Sequence, residues 1–186
     1  MRLDRATSVL CVIDVQERLV PAIADAAGVV NHCRRLAEGA RLLGVPAILT
    51  EQYRKGLGAT VPALGEVLPP PLLAARLPAP VSKMSFSCCG AEGFSARLAE
   101  GIRQVVLCGL ETHVCVAQTA IDLLAGGYAV FVVVDAIASR HRLDHDVALR
   151  RLEGAGVVPT TTEAVLFEWC RTATDPQFQA IRRLIL

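Results

Sequence analysis

The stretch VLCGLETHVCVAQTAIDLL, Val106 to Leu124, decides how the chain is read. An apolar run, Gln104 to Cys108, meets Gly109, and within a few residues the apolar positions take helical spacing at Val116, Ala120, Leu123 and Leu124. Strand, tight turn and helix follow from that change of period. The turn places Cys115 in the first turn of the helix, where unpaired N–H groups and the positive end of the helix dipole favour an anion. A thiol held there is expected to lose its proton more easily than usual, and the thiolate is the nucleophilic form. The plainer alternative is that Cys115 is a small buried hydrophobe, the common fate of a free cysteine.

Working outward, the same grammar repeats. SVLCVI, Ser8 to Ile13, is continuously apolar and stops at Asp14, the pattern of a parallel strand buried on both faces. Val29 to Leu43 has helical spacing and stops at Gly44, and Val45 to Leu49 reads as the second strand of a βαβ unit. Between Thr50 and Pro80 the periodicity disappears among Gly56, Gly58, Gly65 and prolines 62, 69, 70, 71, 78 and 80, with room for a short helix over 61–67. Pro80 to Met84 reads as a brief strand carrying Lys83, Glu92 to Glu100 as a helix, and YAVFVVV, Tyr128 to Val134, as a strand closing on Asp135. A helix over 144–154, a short strand from Val157, a helix N-capped by Thr162 and a final helix over 175–184 complete the alternation. The expected fold is α/β: one three-layer domain over residues 1–186, with a doubly wound, six-stranded, mainly parallel sheet and helices on both faces.

Composition narrows the function classes. The 186 residues are 53% hydrophobic but only 4% aromatic, so the core must be aliphatic. Nineteen Lys and Arg against eighteen Asp and Glu leave a formal charge of +1, which argues against a nucleic-acid partner. Seven cysteines, an odd number with Cys11 and Cys108 inside apolar runs, point to a reducing, cytoplasmic setting rather than a disulfide framework. No run approaches the roughly 20 apolar residues of a membrane span, and the N-terminal apolar patch is too short for a signal peptide.

Asp14, Lys83 and Cys115 all fall at or just beyond carboxyl ends of strands, the edge where open α/β sheets bind ligands. Each has a bland alternative: a capping aspartate, a solvated lysine, a packing cysteine. Their shared edge favours a site.

Four pieces in register, VIDVQ around Asp14, SKMSFS around Lys83, CGLETHVCV ending on Cys115 and VVVDAIASR after the fifth strand, resemble the isochorismatase-like cysteine hydrolases. That family includes nicotinamidases and N-carbamoylsarcosine amidase, and the loop TEQYRKGLG is most similar to isochorismatase-domain proteins. The resemblance implies a triad of Asp14, Lys83 and Cys115, a cis peptide between Leu110 and Glu111, and an oxyanion hole from the N–H groups of Glu111 and Cys115. It also implies a homo-oligomer, a dimer or larger. Nicotinamidases bind a metal through an aspartate and histidines after the second strand, whereas Thr50, Glu51, Gln52 and Tyr53 stand here, so no metal and no cofactor are expected. True isochorismatases lack the cysteine.

His141 and His145 could share a helical face, as zinc ligands do, but RHRLDHD reads as an exposed helix start. His113 should point away from Cys115, because neighbouring helix side chains diverge by about 100° each. The expected activity is metal-independent hydrolysis of a small amide or related C–N bond through a thioester, in a pocket lined by Gln16, Gln52, Tyr53 and Phe86. The alternatives are a non-catalytic binding or scaffold protein, a redox-responsive one using Cys88 and Cys89 or Cys115, and a vinyl-ether hydrolase.

Overall fold

The computed structural model describes residues 1–65, 67 and 79–186. Prolines 69, 70, 71 and 78, expected to break the chain, lie outside them. Six strands, β1 (Ser8–Ile13), β2 (Ala47–Gln52), β3 (Val81–Lys83), β4 (Gln104–Leu110), β5 (Ala129–Ala138) and β6 (Val158–Thr160), form one sheet in the order β3-β2-β1-β4-β5-β6. Every neighbouring pair is parallel. The sheet was expected to be mainly parallel; among the described residues it is wholly so.

The apolar runs form these strands because helices cover both faces. In β1, Leu10 and Val12 face one core with Cys33, Leu36, Ala40 and Trp169. Val9, Cys11 and Ile13 face the other with Val116, Ala120, Leu123 and Leu152. The first core is covered by α1 (Ala26–Leu43), α6 (Thr162–Cys170) and α7 (Phe178–Ile185), the second by α4 (Ala117–Ala125) and α5 (Arg142–Ala155). Helix α1 ends at Gly44 with φ 72°, a left-handed cap that suits glycine. Two short helices, α2 (Arg54–Leu57) and α3 (Pro62–Gly65), follow β2.

Several expectations need correction. The helix over 92–100 is only a 3₁₀ turn, Ser95–Arg97; Phe94 is its one fully buried anchor, and Gly93 (φ 79°) and Gly101 (φ 93°) break the backbone on either side. Strand β2 begins at Ala47 and runs to Gln52, because Thr50 to Gln52 pair with Val81 to Lys83. Strand β5 continues past Asp135 to Ala138. Thr162 is not the cap of α6: its N–H and hydroxyl both donate to Asp135 Oδ1, at 2.9 and 3.0 Å, and Thr161 caps the helix instead.

From β1 the chain winds outward through β2 and β3, then crosses back to β4 on the other side of β1. That reversal leaves a crevice outside the carboxyl ends of β1 and β4, the position where such sheets bind ligands.

Candidate active site

Asp14 follows β1 directly and is fully buried, with φ 51°, a left-handed conformation that aspartate tolerates better than most residues. Its Oδ1 accepts the Thr50 hydroxyl at 2.7 Å. Its Oδ2 lies 2.7 Å from Lys83 Nζ, with both side chains wholly buried. A carboxylate oxygen can accept from two donors, so Oδ2 can take a second proton donor beside the Lys83 ammonium. Lys83 stands at the end of edge strand β3 and reaches past β2 to make the contact. Gln52 Oε1 and the Phe86 carbonyl accept its other protons at 2.8 and 3.0 Å. Burial pulls the Lys83 ammonium down, but the Asp14 carboxylate outweighs it and holds the ammonium above its ordinary range.

Cys115 lies against this pair in a π turn, Thr112–Val116, that precedes α4. The Leu110–Glu111 peptide leading into it is cis. The Glu111 carbonyl accepts from Val114 and Val116 N–H, at 3.1 and 3.2 Å, and passes over the N–H of Cys115 between them. A lowered thiol pKa was expected from the helix start; the structure corrects this. Burial and the adjacent Asp14 carboxylate push the Cys115 thiol up to about 12, and Lys83 offsets only part of that. The helix end is outweighed because the thiol is desolvated beside a buried negative charge.

The four residues expected to line a pocket separate into two pairs. Gln16 is fully buried, its amide donating to the Gln52 and Gly58 carbonyls and accepting from the Gln52 N–H. Gln52 holds Lys83 and the Met84 carbonyl, so both glutamines brace the loop. Tyr53 and Phe86 are about half exposed. Two residues to which the sequence assigned no part in the site belong to the assembly: Thr50, and the buried Glu51, whose Oε1 accepts from Thr60 and whose Oε2 pairs with Arg54 at 2.7 Å. With both Glu51 oxygens engaged, Thr50–Tyr53 do not fit the metal that nicotinamidases carry after this strand. His113 Nδ1 meets Ser139 Oγ and His145 Nδ1 meets Thr112 Oγ1, both at 2.9 Å, so both rings brace the π turn. No group of three His, Cys, Asp or Glu side chains suited to a metal occurs among the described residues.

The pH dependence of stability follows from these shifts. Cys108, which is buried beside Cys33, and Cys115, which is buried beside Asp14, keep their protons in the fold but lose them near pH 9 once unfolded. The unfolded state then binds fewer protons, so stability falls as pH rises above about 9. Lys83 adds to the fall above 10.5, where the unfolded lysine loses the proton that the folded one keeps. Urea titrations between pH 6 and 11 should show a plateau, then a decline; stability rising through pH 10 would contradict the burial of these groups.

A parallel sheet with a carboxylate, an ammonium and a thiol meeting at its switch point defines a chain of the isochorismatase-like hydrolase fold. The isochorismatase domain model matches residues 8–164, and the chain belongs to that family. It is 41% identical over 183 residues to isochorismatase domain-containing protein 1 of Danio rerio, covering 98% of this chain but only 62% of that protein. It is 42% identical to isochorismatase domain-containing protein 2 of the same fish, covering 99% and 89%. Among solved structures, the MAR1 ribonuclease of Caenorhabditis elegans superposes with a TM-score of 0.90 at 38% identity over 100% of this chain and 92% of its own. YcaC of Pseudomonas aeruginosa, solved with hexane-2,5-diol and covalent acrylamide, gives 0.88 at 29% identity, covering 100% and 92%. The Escherichia coli YcaC product, an octameric hydrolase of unknown specificity, gives 0.85 at 25%, covering 100% and 95%. No helix among the described residues is long and apolar enough to cross a membrane.

Proposed function

We propose that the chain is a cysteine hydrolase of a small, uncharged amide or related C–N bond. The observation that carries this reading is the Cys115 thiol set against the buried Asp14–Lys83 pair, with the Asp14 carboxylate within reach of the thiol proton. With the thiol protonated at rest, the proton must leave during attack. Asp14 takes it as Sγ bonds to the carbonyl carbon, and the carbonyl π electrons move to oxygen, facing the N–H groups of Glu111 and Cys115. Collapse breaks the C–N bond, the amine departs with the proton from Asp14, and a thioester remains. Asp14 then deprotonates water, hydroxide adds to the thioester carbonyl, and the thiolate leaves and recovers the proton. Lys83 holds the carboxylate in place and lowers the cost of negative charge on sulfur.

An uncharged substrate fits because the nearby cations are already paired: Lys83 with Asp14, Arg54 with Glu51, Arg140 with Glu111. Tyr53 and Phe86 supply its walls. The covalent acrylamide of the Pseudomonas neighbour supports a reactive nucleophile in this fold, since acrylamide is attacked at its alkene carbon. The ribonuclease name of the C. elegans neighbour raises a phosphodiester reading, which the paired cations disfavour. The octameric E. coli neighbour supports a homo-oligomer, with exposed Leu143 and Val147 on α5 as candidate contact residues.

The test is a panel of small amides and carbamoyl compounds, alongside a single-stranded RNA, with ammonia or amine release followed and Cys115 examined by mass spectrometry for an acyl adduct. Turnover of one amide, falling roughly 10⁴-fold or more in Cys115→Ala, is expected. Activity that survives Cys115→Ala would support the vinyl-ether chemistry of the true isochorismatases, and turnover of RNA alone would support the ribonuclease. Failure of every compound to turn over or to shift the melting temperature would favour a binding protein.

A further inference from the structure

The proposed chemistry needs two backbone N–H groups, those of Glu111 and Cys115, held still around one point. Cys115 meets the Asp14–Lys83 pair through its side chain, which does not fix the backbone of the turn. Three consecutive side chains answer this. Glu111 Oε1 accepts the backbone N–H of Arg140 at 3.0 Å and its Nε at 2.9 Å. Thr112 Oγ1 meets His145 Nδ1, and His113 Nδ1 meets Ser139 Oγ, both at 2.9 Å. Glu111, Thr112 and His113 are thus each latched to the segment running from the end of β5 into the first turn of α5. The Glu111 latch is the strongest of the three. Its carboxylate is buried, with side-chain exposure of 7%, so it requires a partner, and Arg140 meets it with a charged planar donor as well as a main-chain one.

We infer that Arg140 is a positioning residue, which through Glu111 holds the N–H groups that face the developing oxyanion. The inference rests on the cysteine-hydrolase reading above and adds to it a residue that is half exposed and lies in the connection between β5 and α5, apart from Asp14, Lys83 and Cys115 in the chain. Arg140 approaches the reaction only through Glu111. Its loss should therefore leave the thiol in place and spoil only the stabilisation of charge on a carbonyl oxygen.

Two probes separate those effects. p-Nitrophenyl acetate acylates a thiol through a tetrahedral oxyanion: the S–C bond forms, the carbonyl oxygen takes the charge, and nitrophenolate leaves. Iodoacetamide alkylates the same sulfur by displacing iodide, with no charge developing on a carbonyl oxygen. The ratio of the two rates at Cys115, followed by nitrophenolate absorbance and by mass spectrometry, reads the oxyanion contacts independently of thiol exposure and ionisation. Removal of one oxyanion donor in other enzymes costs about 10²- to 10³-fold. Misplacing the pair in Arg140→Ala should lower the ratio at least tenfold, with alkylation alone changing less than threefold. Arg140→Lys keeps the charge and the backbone donor but loses the planar Nε, and should fall between the two.

An unchanged ratio in a folded Arg140→Ala variant overturns the inference. If that variant does not fold, Arg140→Lys decides: a ratio at least threefold below wild type supports the positioning role, and an unchanged one overturns it. Wild-type protein that is alkylated at Cys115 but never releases nitrophenolate from it overturns the cysteine-hydrolase reading and this inference together, and that outcome is distinct from the other two.

Discussion

Lys83→Met is expected to cost the fold about 3 to 5 kcal/mol, because it removes one partner of a buried ion pair and leaves the Asp14 carboxylate without a cation in a site closed to water. In a chain of this length, each kcal/mol lowers the melting temperature by roughly 2 to 4 °C, so the loss is easy to measure. A solvated lysine would change stability by no more than about 0.5 kcal/mol. The second arm is Asp14→Asn combined with Lys83→Met. Removing both charges should recover much of the loss, since neutral replacement of a buried pair is often tolerated while half a pair is not. Cys115 alkylation should also slow in the single variant, because Lys83 is the group that eases ionisation of the thiol. A single variant within 0.5 kcal/mol of wild type in urea unfolding would remove the pair from both roles.

Gly109→Ala should be comparably damaging, on the order of 4 kcal/mol or more. Gly109 lies in β4 beside Ile13 of β1, with φ 112°, a region closed to side chains. A Cβ there would stand 2.0 Å from the Ile13 carbonyl oxygen and 2.7 Å from its nitrogen. Backbone atoms cannot rotate away as a side chain can, so the two central strands would have to move apart just before Asp14. Gly154→Ala is the control: it lies within α5 with nothing within 4 Å of its Cβ, and should stabilise the helix by about 0.5 to 1 kcal/mol. Thermal melts of both variants check this, and a Gly109→Ala protein as stable as wild type would contradict the close strand approach.

How far the sequence could carry these conclusions depended on whether the deciding contact was local. Strand β1 was legible because six apolar residues buried on both faces need no partner to be recognised. Asp14 and Lys83 could be placed at strand ends because the runs stop there. The part Thr50 plays was not legible, because it is a 2.7 Å hydrogen bond to a residue 36 positions away, and nothing in TEQY announces it. The Glu111–Arg140 latch, spanning 29 positions, was hidden for the same reason. The thiol of Cys115 was misjudged because the local signal, a helix start, is real but weaker than burial beside a carboxylate, and burial is a property of the assembled sheet. The glutamines at 16 and 52 look like pocket residues by composition; only the loop geometry shows that backbone groups and Lys83 have already claimed their amides.

Strand β3 is three residues long and pairs with β2 alone, whereas β1 is flanked on both sides. The Asp14–Lys83 contact therefore ties a weakly held margin of the sheet to its centre and acts as a staple in addition to any chemistry it performs. Such a pair would be retained in a relative that had lost all turnover, because discarding either half would loosen the edge. Without the cysteine beside them, an aspartate and a lysine at these positions are thus poor witnesses of catalysis. Cys115 is the informative residue, since a small side chain could replace its sulfur with little harm to the architecture, and its presence is what the fold alone does not require.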